Sequence, residues 1–198
     1  CLPKINGRAV RKAAPNAVLL DTDSLGRIPE LLGTPRDFFS DARENKLLLA
    51  PPRHGLTAVI GISEGCLGNC AYCGTRHARG SLHSYPPKDV VSAVGSAVAA
   101  GAREVCLTSE DTGCYGMDAG GSLPGLLEEV TRIPGEFRVR VGMMNPDHAK
   151  RFLPGLIAAY QSDKLYTFIH LPVQSGSDKV LREMNRNYSV AEFEGVVS

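Results

Sequence analysis

Three cysteines, Cys66, Cys70 and Cys73, fall in the stretch EGCLGNCAYCG, residues 64–74, with no fourth cysteine close by. Thiols so closely spaced are suited to holding a metal rather than to bridging one another. Structural zinc takes four protein ligands, commonly as two close pairs. Neither Cys106 nor Cys114 supplies a second pair, so zinc would need His77 or His83 as its fourth ligand, and that reading stays open. A buried structural role fits less well, because Gly65, Gly68, Asn69 and Gly74 mark a loop poor at burying thiols. A cubane of four irons and four sulfides normally takes four thiolates. Held by three, it keeps one iron with free coordination sites for a small molecule. A CxxxCxxC loop can wrap three corners of such a cubane, and the interleaved glycines and Asn69 let backbone N–H groups turn toward the sulfides.

The surrounding pattern says what must carry this loop. LTAVIGIS, residues 56–63, is a continuous apolar strand that runs straight into it. Val90, Val91, Val94 and Val98 then fall on one helical face between Pro86 and Gly101. Residues 104–109 read as the next strand and Leu123, Leu126, Leu127 and Val130 as the next helix. Residues 137–143 follow as a strand, then a helix around 152–160 expected to be kinked by Pro154 and Gly155, a strand over 165–173 and a helix capped by Ser177. Near-continuous apolar strands alternating with amphipathic helices predict parallel β/α units with right-handed crossovers. In such sheets and barrels, chemistry collects at the carboxyl ends of the strands. That singles out EGCLGNCAYC, EDTG, MNP and QSGS. Four units make only part of a closed barrel, so further strands are expected beyond Ser198.

Ahead of this rhythm, residues 17–20 read as a short strand and Ser24 as the cap of a short helix closed by Gly33. Residues 34–55, with Pro51 and Pro52, read as a linker. The predicted organisation is the tail of an N-terminal α/β domain with its linker over 1–45, then an α/β domain over 46–198. The chain opens on a cysteine and stops on EFEGVVS, which reads as the start of a helix, so it is expected to be a piece of a longer protein.

Apolar residues make up 43% of 198, enough for a core, and no run approaches the roughly 20 residues of a membrane span. No signal peptide is visible, which with the clustered thiols points to a reducing, cytoplasmic setting. A net charge of +1 neither demands nor excludes a polyanionic partner, although Lys4, Arg8, Arg11 and Lys12 make a local basic patch.

CxxxCxxC directly after the first strand of a β/α barrel resembles the radical S-adenosylmethionine superfamily. GCLGNCAYCGTRHARG, LTSEDTGCYG, VRVGMMNP and LPVQSGSDKVLREMNRNY further resemble the methylthiotransferases, in their archaeal and eukaryotic branch acting on N6-threonylcarbamoyladenosine beside the tRNA anticodon. The resemblance runs in order from about residue 56 to 198. It implies a partial radical-SAM (β/α) barrel of parallel strands and a [4Fe-4S] cluster on Cys66, Cys70 and Cys73. The open iron of that cluster would bind the amino and carboxylate groups of S-adenosylmethionine. It also implies a second [4Fe-4S] cluster in the full-length protein, with Cys1 as the last of its three ligands. The plain alternative for Cys1 is an exposed terminal thiol. The implied reaction consumes two cofactor molecules: one methylates a sulfur at the second cluster, and the other yields the radical that opens carbon 2 of the adenine to methylthiolation. Implied partners are a tRNA anticodon loop and an electron donor. The alternatives are a sister enzyme acting on another tRNA adenosine or a ribosomal protein, and a non-catalytic zinc-binding module.

The resemblance also gives roles to single residues. Glu110 can accept from the cofactor ammonium, and Tyr72 can pack by the adenine or shield the cluster. Arg140, which alternation puts on one strand face with Arg138, can reach the cofactor carboxylate or can face solvent. Asn145 and Gln174 can bond ribose hydroxyls, and for Asn145 capping of the next helix is the plainer role. Arg76, His77 and Arg79 make a basic rim that an anticodon loop could approach, or a merely solvated run. Cys106 reads as a core residue, Cys114 has no ligand role, Met143 and Met144 read as packing, and His170 as a satisfied strand histidine.

Overall fold

The structure, a computed structural model, describes residues 1–33, 36–40, 42–49 and 55–198. Pro51 and Pro52 of the expected linker lie outside those residues. Helix α1 (Leu2–Ala13), bent at Asn6, comes first, and α2 (Ile28–Gly33) ends on the expected glycine. Then follow β1 (Thr57–Gly61), β2 (Ser63–Glu64), α3 (Thr75–Arg79), β3 (His83–Ser84), α4 (Pro87–Ala99), β4 (Glu104–Thr108), α5 (Leu123–Thr131), β5 (Arg138–Val141), α6 (Pro146–Arg151), α7 (Leu153–Ala159), α8 (Asp178–Glu183) and α9 (Val190–Val197).

β1, β4 and β5 form a parallel sheet in that order, and β2 with β3 forms a short antiparallel ribbon. Ala58, Ile60, Val105, Leu107, Val139 and Val141 turn one face of the sheet toward Val90, Val94 and Ala97 of α4 and toward Leu123, Leu126, Leu127 and Val130 of α5. The helices form where their sequences allow. α4 opens on proline and stops before Gly101, whose φ is +104°. In α5 the side chain of Ser122 accepts from the Gly125 N–H. Each fully buried leucine in this layer contributes about 2 kcal/mol, so the sheet is anchored from its helical side. The other face presents Val59, Cys106, Arg138 and Arg140.

Several expectations are corrected. Residues 17–20 make a single parallel bridge, Leu20 to Phe38, because the Asp21 carboxylate accepts from the Asp23 N–H and the Ser24 hydroxyl and turns the chain at once. Residues 165–173 run beside β5 but join it only through a bridge at Leu165 and hydrogen bonds such as Tyr166 N–H to the Val139 carbonyl at 3.0 Å. The break between α6 and α7 falls at Phe152. Pro154 lies in the first turn of α7, where a missing N–H costs nothing, and so starts a helix instead of kinking one. Cys106 is half-exposed on the face opposite buried Val105 and Leu107, so it is no core residue, and His170 is exposed. No helix among the described residues is long and apolar enough to cross a membrane.

Candidate metal centre

The cysteine loop leaves β2 through Gly65, whose φ is +72° and where a Cβ would stand 2.1 Å from the Ser81 carbonyl oxygen. Only glycine fits a backbone passing that close in that conformation. At Gly68 a Cβ would lie 3.2 Å from the Cys66 sulfur and 3.6 Å from that of Cys70, and the Gly68 N–H donates to Cys66 Sγ at 3.1 Å.

The far side of the loop is held by the segment after α8. Ala71 N–H donates to the Met184 carbonyl at 3.0 Å, Asn185 Nδ2 to the Asn69 carbonyl at 2.6 Å, and Arg186 Nη2 to the Tyr72 hydroxyl at 2.5 Å. Tyr72 in turn donates to Gln174 Oε1 at 3.1 Å. Gln174 itself sits at φ +70°.

These contacts enclose a cavity of about 420 Å³ lined by Cys66, Cys70, Cys73, Tyr72, Glu110, Asp111, Met143, Asn145, Gln174 and Arg186. A larger cleft of about 1230 Å³ runs along β1 and meets it at Ser109 and Glu110. Four of the five residues assigned to the small-molecule cofactor, Tyr72, Glu110, Asn145 and Gln174, therefore line one space with the three thiols. Arg140 does not line it. Its guanidinium stacks 4.9 Å from the centre of the Phe168 ring on the open sheet face. Cys1 is exposed at the start of α1, which packs against α3, the helix directly after the cysteine loop.

The residues fit an iron–sulfur cluster with a bound amino acid better than a lone ion. Among the described residues, one group of three His, Cys, Asp or Glu side chains has all its donor atoms within 4.8 Å of one another, and it is Cys66, Asp111 and Cys114. The three loop thiols are spread more widely than that, as the corners of a cubane require, and no group so tight includes His77 or His83. Glu110 Oε2 and Asn145 Oδ1 are buried without partners among the described residues and belong to residues lining the cavity. Unpaired buried oxygens are costly, and donors such as an ammonium or a ribose hydroxyl would satisfy them. Asn145 precedes α6 but its side chain makes no capping bond, which leaves that oxygen free.

Charge around the cavity is matched. Arg79 reaches Glu64 at 2.6 Å and Glu110 at 3.5 Å, and Lys46 also pairs with Glu64. Arg79 is thus an internal tie, not a solvated rim residue. Its own carbonyl accepts from Arg43 Nη1 at 2.5 Å. Contact with the Cys114 side chain, helped by the Gly68 N–H, brings the Cys66 thiol down against the effect of burial. Burial pushes Cys70 up.

Sequence reasoning did not bring Arg186 to this loop or Cys114 to Cys66. Arg186 lies in the quoted NRNY, but only the fold brings it to a loop more than a hundred residues earlier. Cys114 is fully buried against Cys66. Spacing could not show this, because the contact depends on the ends of two neighbouring strands.

The profile of the Radical SAM superfamily matches residues 60–197. A Pyrococcus abyssi protein named probable threonylcarbamoyladenosine tRNA methylthiotransferase is 57% identical over 139 residues, 70% of this chain and 33% of its own length. One from Archaeoglobus fulgidus with the same name is 51% identical over 160 residues, 80% of this chain and 38% of its own. The human threonylcarbamoyladenosine tRNA methylthiotransferase is 44% identical over 146 residues, 73% and 25%. The chain spans about a third of the length of the curated relatives it matches first. Among solved structures, the cobalamin-dependent S-adenosylmethionine radical enzyme OxsB overlays all of this chain and 33% of its own with a TM-score of 0.73 at 12% identity. The radical S-adenosylmethionine methyltransferase TsrM from Kitasatospora setae covers 73% of this chain and 28% of its own, with a TM-score of 0.55 at 19% identity. These two show the shared fold.

Proposed function

The chain belongs to the radical SAM superfamily, and we propose that it is the catalytic core of a methylthiotransferase converting N6-threonylcarbamoyladenosine beside the tRNA anticodon to its 2-methylthio derivative. The names carried by relatives at 44–57% identity support the substrate. The observation that carries the chemistry is the single cavity shared by three thiols and by two cavity-lining residues with orphaned buried oxygens, Glu110 and Asn145.

Cys66, Cys70 and Cys73 would hold a [4Fe-4S] cluster, which with S-adenosylmethionine would supply the one-electron chemistry for hydrogen abstraction. The chain supplies the surroundings. Glu110, held by Arg79, takes the ammonium, and Asn145 and Gln174 take ribose hydroxyls. Tyr72, fixed between Gln174 and Arg186, walls the adenine. The cleft that joins the cavity at Glu110 gives the target base a way in.

Arg76, on the cavity wall, and the basic face of α1 suit the phosphates of an anticodon loop. Cys1, on a helix packed against α3, fits a ligand of a second [4Fe-4S] cluster whose other ligands come from elsewhere in the whole protein. An external electron donor and a cytoplasmic setting complete the reading, with residues 1–45 as the tail of the auxiliary-cluster domain and 46–198 as the radical core. Nucleoside analysis of tRNA from a strain lacking the whole gene tests it. The expected result is loss of 2-methylthio-N6-threonylcarbamoyladenosine with its precursor accumulating, and an unchanged nucleoside profile contradicts the assignment.

A further inference from the structure

We propose that Cys66, Asp111 and Cys114 form a second, mononuclear site for a soft or borderline divalent cation such as zinc, and that it competes with the loop cluster because both need Cys66. Their three donor atoms all lie within 4.8 Å of one another. Cys66 comes from the loop after β2, whereas Asp111 and Cys114 bound the single 3-10 turn, Thr112–Cys114, that follows β4. Parallel pairing of β1 with β4 brings the two ends together, so the trio is built by the sheet and not by a mobile loop alone.

The carboxylate is already oriented as a ligand. Asp111 Oδ1 accepts from the Gly113 and Asn145 N–H groups, each at 3.0 Å, which fixes the plane of the group. Oδ2 lies 2.6 Å from His148 Nδ1 and 3.9 Å from Cys66 Sγ, so one lone pair faces the imidazole and another faces the thiols. Ligating groups held by outer hydrogen bonds of this kind are the rule in metal sites. The Cys114 thiol donates to the Asp111 carbonyl at 3.1 Å, which aims its sulfur at the same point.

Two sulfurs and one oxygen select zinc, cobalt or cadmium over magnesium or calcium, which prefer oxygen alone. A divalent cation cancels two of the three negative charges on two thiolates and a carboxylate. Such neutralisation is what burial demands. Cys66 and Asp111 both line the cavity, which gives an ion a path to the trio.

The site itself stands apart from the radical reading, and only the competition rests on it. The test uses the whole chain, freed of iron under reducing conditions and titrated with cobalt(II), whose thiolate charge-transfer and tetrahedral visible bands report the ligands. A C70S/C73S chain should keep one cobalt with two-thiolate intensity. Adding C114S to that chain, a change that leaves the volume nearly unaltered, should halve the intensity and weaken binding more than about tenfold. Cobalt binding that survives in C114S but vanishes in C70S/C73S places the ion on the loop and overturns the proposal. Zinc-loaded wild type should then resist cluster assembly from iron and sulfide while zinc-treated C114S accepts it. Equal uptake by the two overturns the competition, whereas absence of cluster in zinc-free wild type strikes the radical reading alone and leaves the cobalt result standing.

Discussion

Arg79 Nη1 lies 2.6 Å from Glu64 Oε1 while its Nε lies 3.5 Å from Glu110 Oε1, so one guanidinium ties the end of β2 to the turn after β4. Lys46 shares Glu64 and leaves Glu110 with a single cationic neighbour and a buried oxygen still unpaired. A carboxylate so held is a fixed acceptor beside the thiols, and its orientation costs nothing when a cation arrives.

Glu110→Gln therefore weakens S-adenosylmethionine binding by about tenfold, the loss of one charge-assisted hydrogen bond, without changing iron content. Titration of the reduced, cluster-loaded chain with the cofactor, followed by electron paramagnetic resonance, reads both quantities. Unchanged affinity removes Glu110 from the cofactor site.

Two glycines in the cysteine loop should respond oppositely to the same substitution. Gly65→Ala meets a backbone oxygen at 2.1 Å from a left-handed conformation, so it should cost about 2 kcal/mol or more and displace Cys66. Gly74→Ala meets nothing within 4 Å. Iron content and urea midpoints of the two variants decide it: loss of both in G65A alone is expected, and equal behaviour contradicts the loop geometry.

The start of α9 gives a pH dependence. Glu192 bonds back to the Ser189 N–H at 2.9 Å and to Lys150 at 2.7 Å, and these bonds, with Lys150 first, hold its carboxyl at about 2. A folded value below the unfolded one, near 4.5, means stabilisation that is present above 4.5 and lost as pH falls toward 2. The stability difference between wild type and Glu192→Gln, measured by urea unfolding, should thus be positive at neutral pH and shrink through that window. A difference that grows on acidification contradicts the capping assignment.

The alternating pattern made the β/α order legible because β1, β4 and β5 bury one whole face, so their apolar residues stand out. The 165–173 stretch misled in degree. Its apolar residues Tyr166, Phe168 and Ile169 are exposed, and it lies beside β5 with few ladder bonds. Pro154 was misjudged in place because proline at the first turn of a helix and proline inside one look alike in sequence. That the thiol trio, Tyr72, Glu110 and Asn145 would share one space was legible since they follow strands, and Gln174 joins them from the extended stretch beside β5. What was not legible is contact between loops of different strands. Cys114 looked idle beside its sequence neighbours and meets Cys66 only once the sheet registers are set, and Arg140 was put at the cofactor when Phe168, on a neighbouring segment, takes its guanidinium.

The central claim is that Cys66, Cys70 and Cys73 hold a cluster whose free iron takes a small molecule. Anaerobic reconstitution followed by iron and sulfide analysis and low-temperature electron paramagnetic resonance tests it most directly. The account predicts about four irons and four sulfides per chain, a reduced signal that shifts on addition of S-adenosylmethionine, and loss of both in a C66A/C70A/C73A chain. A reconstituted chain without iron, or a signal indifferent to S-adenosylmethionine, contradicts it.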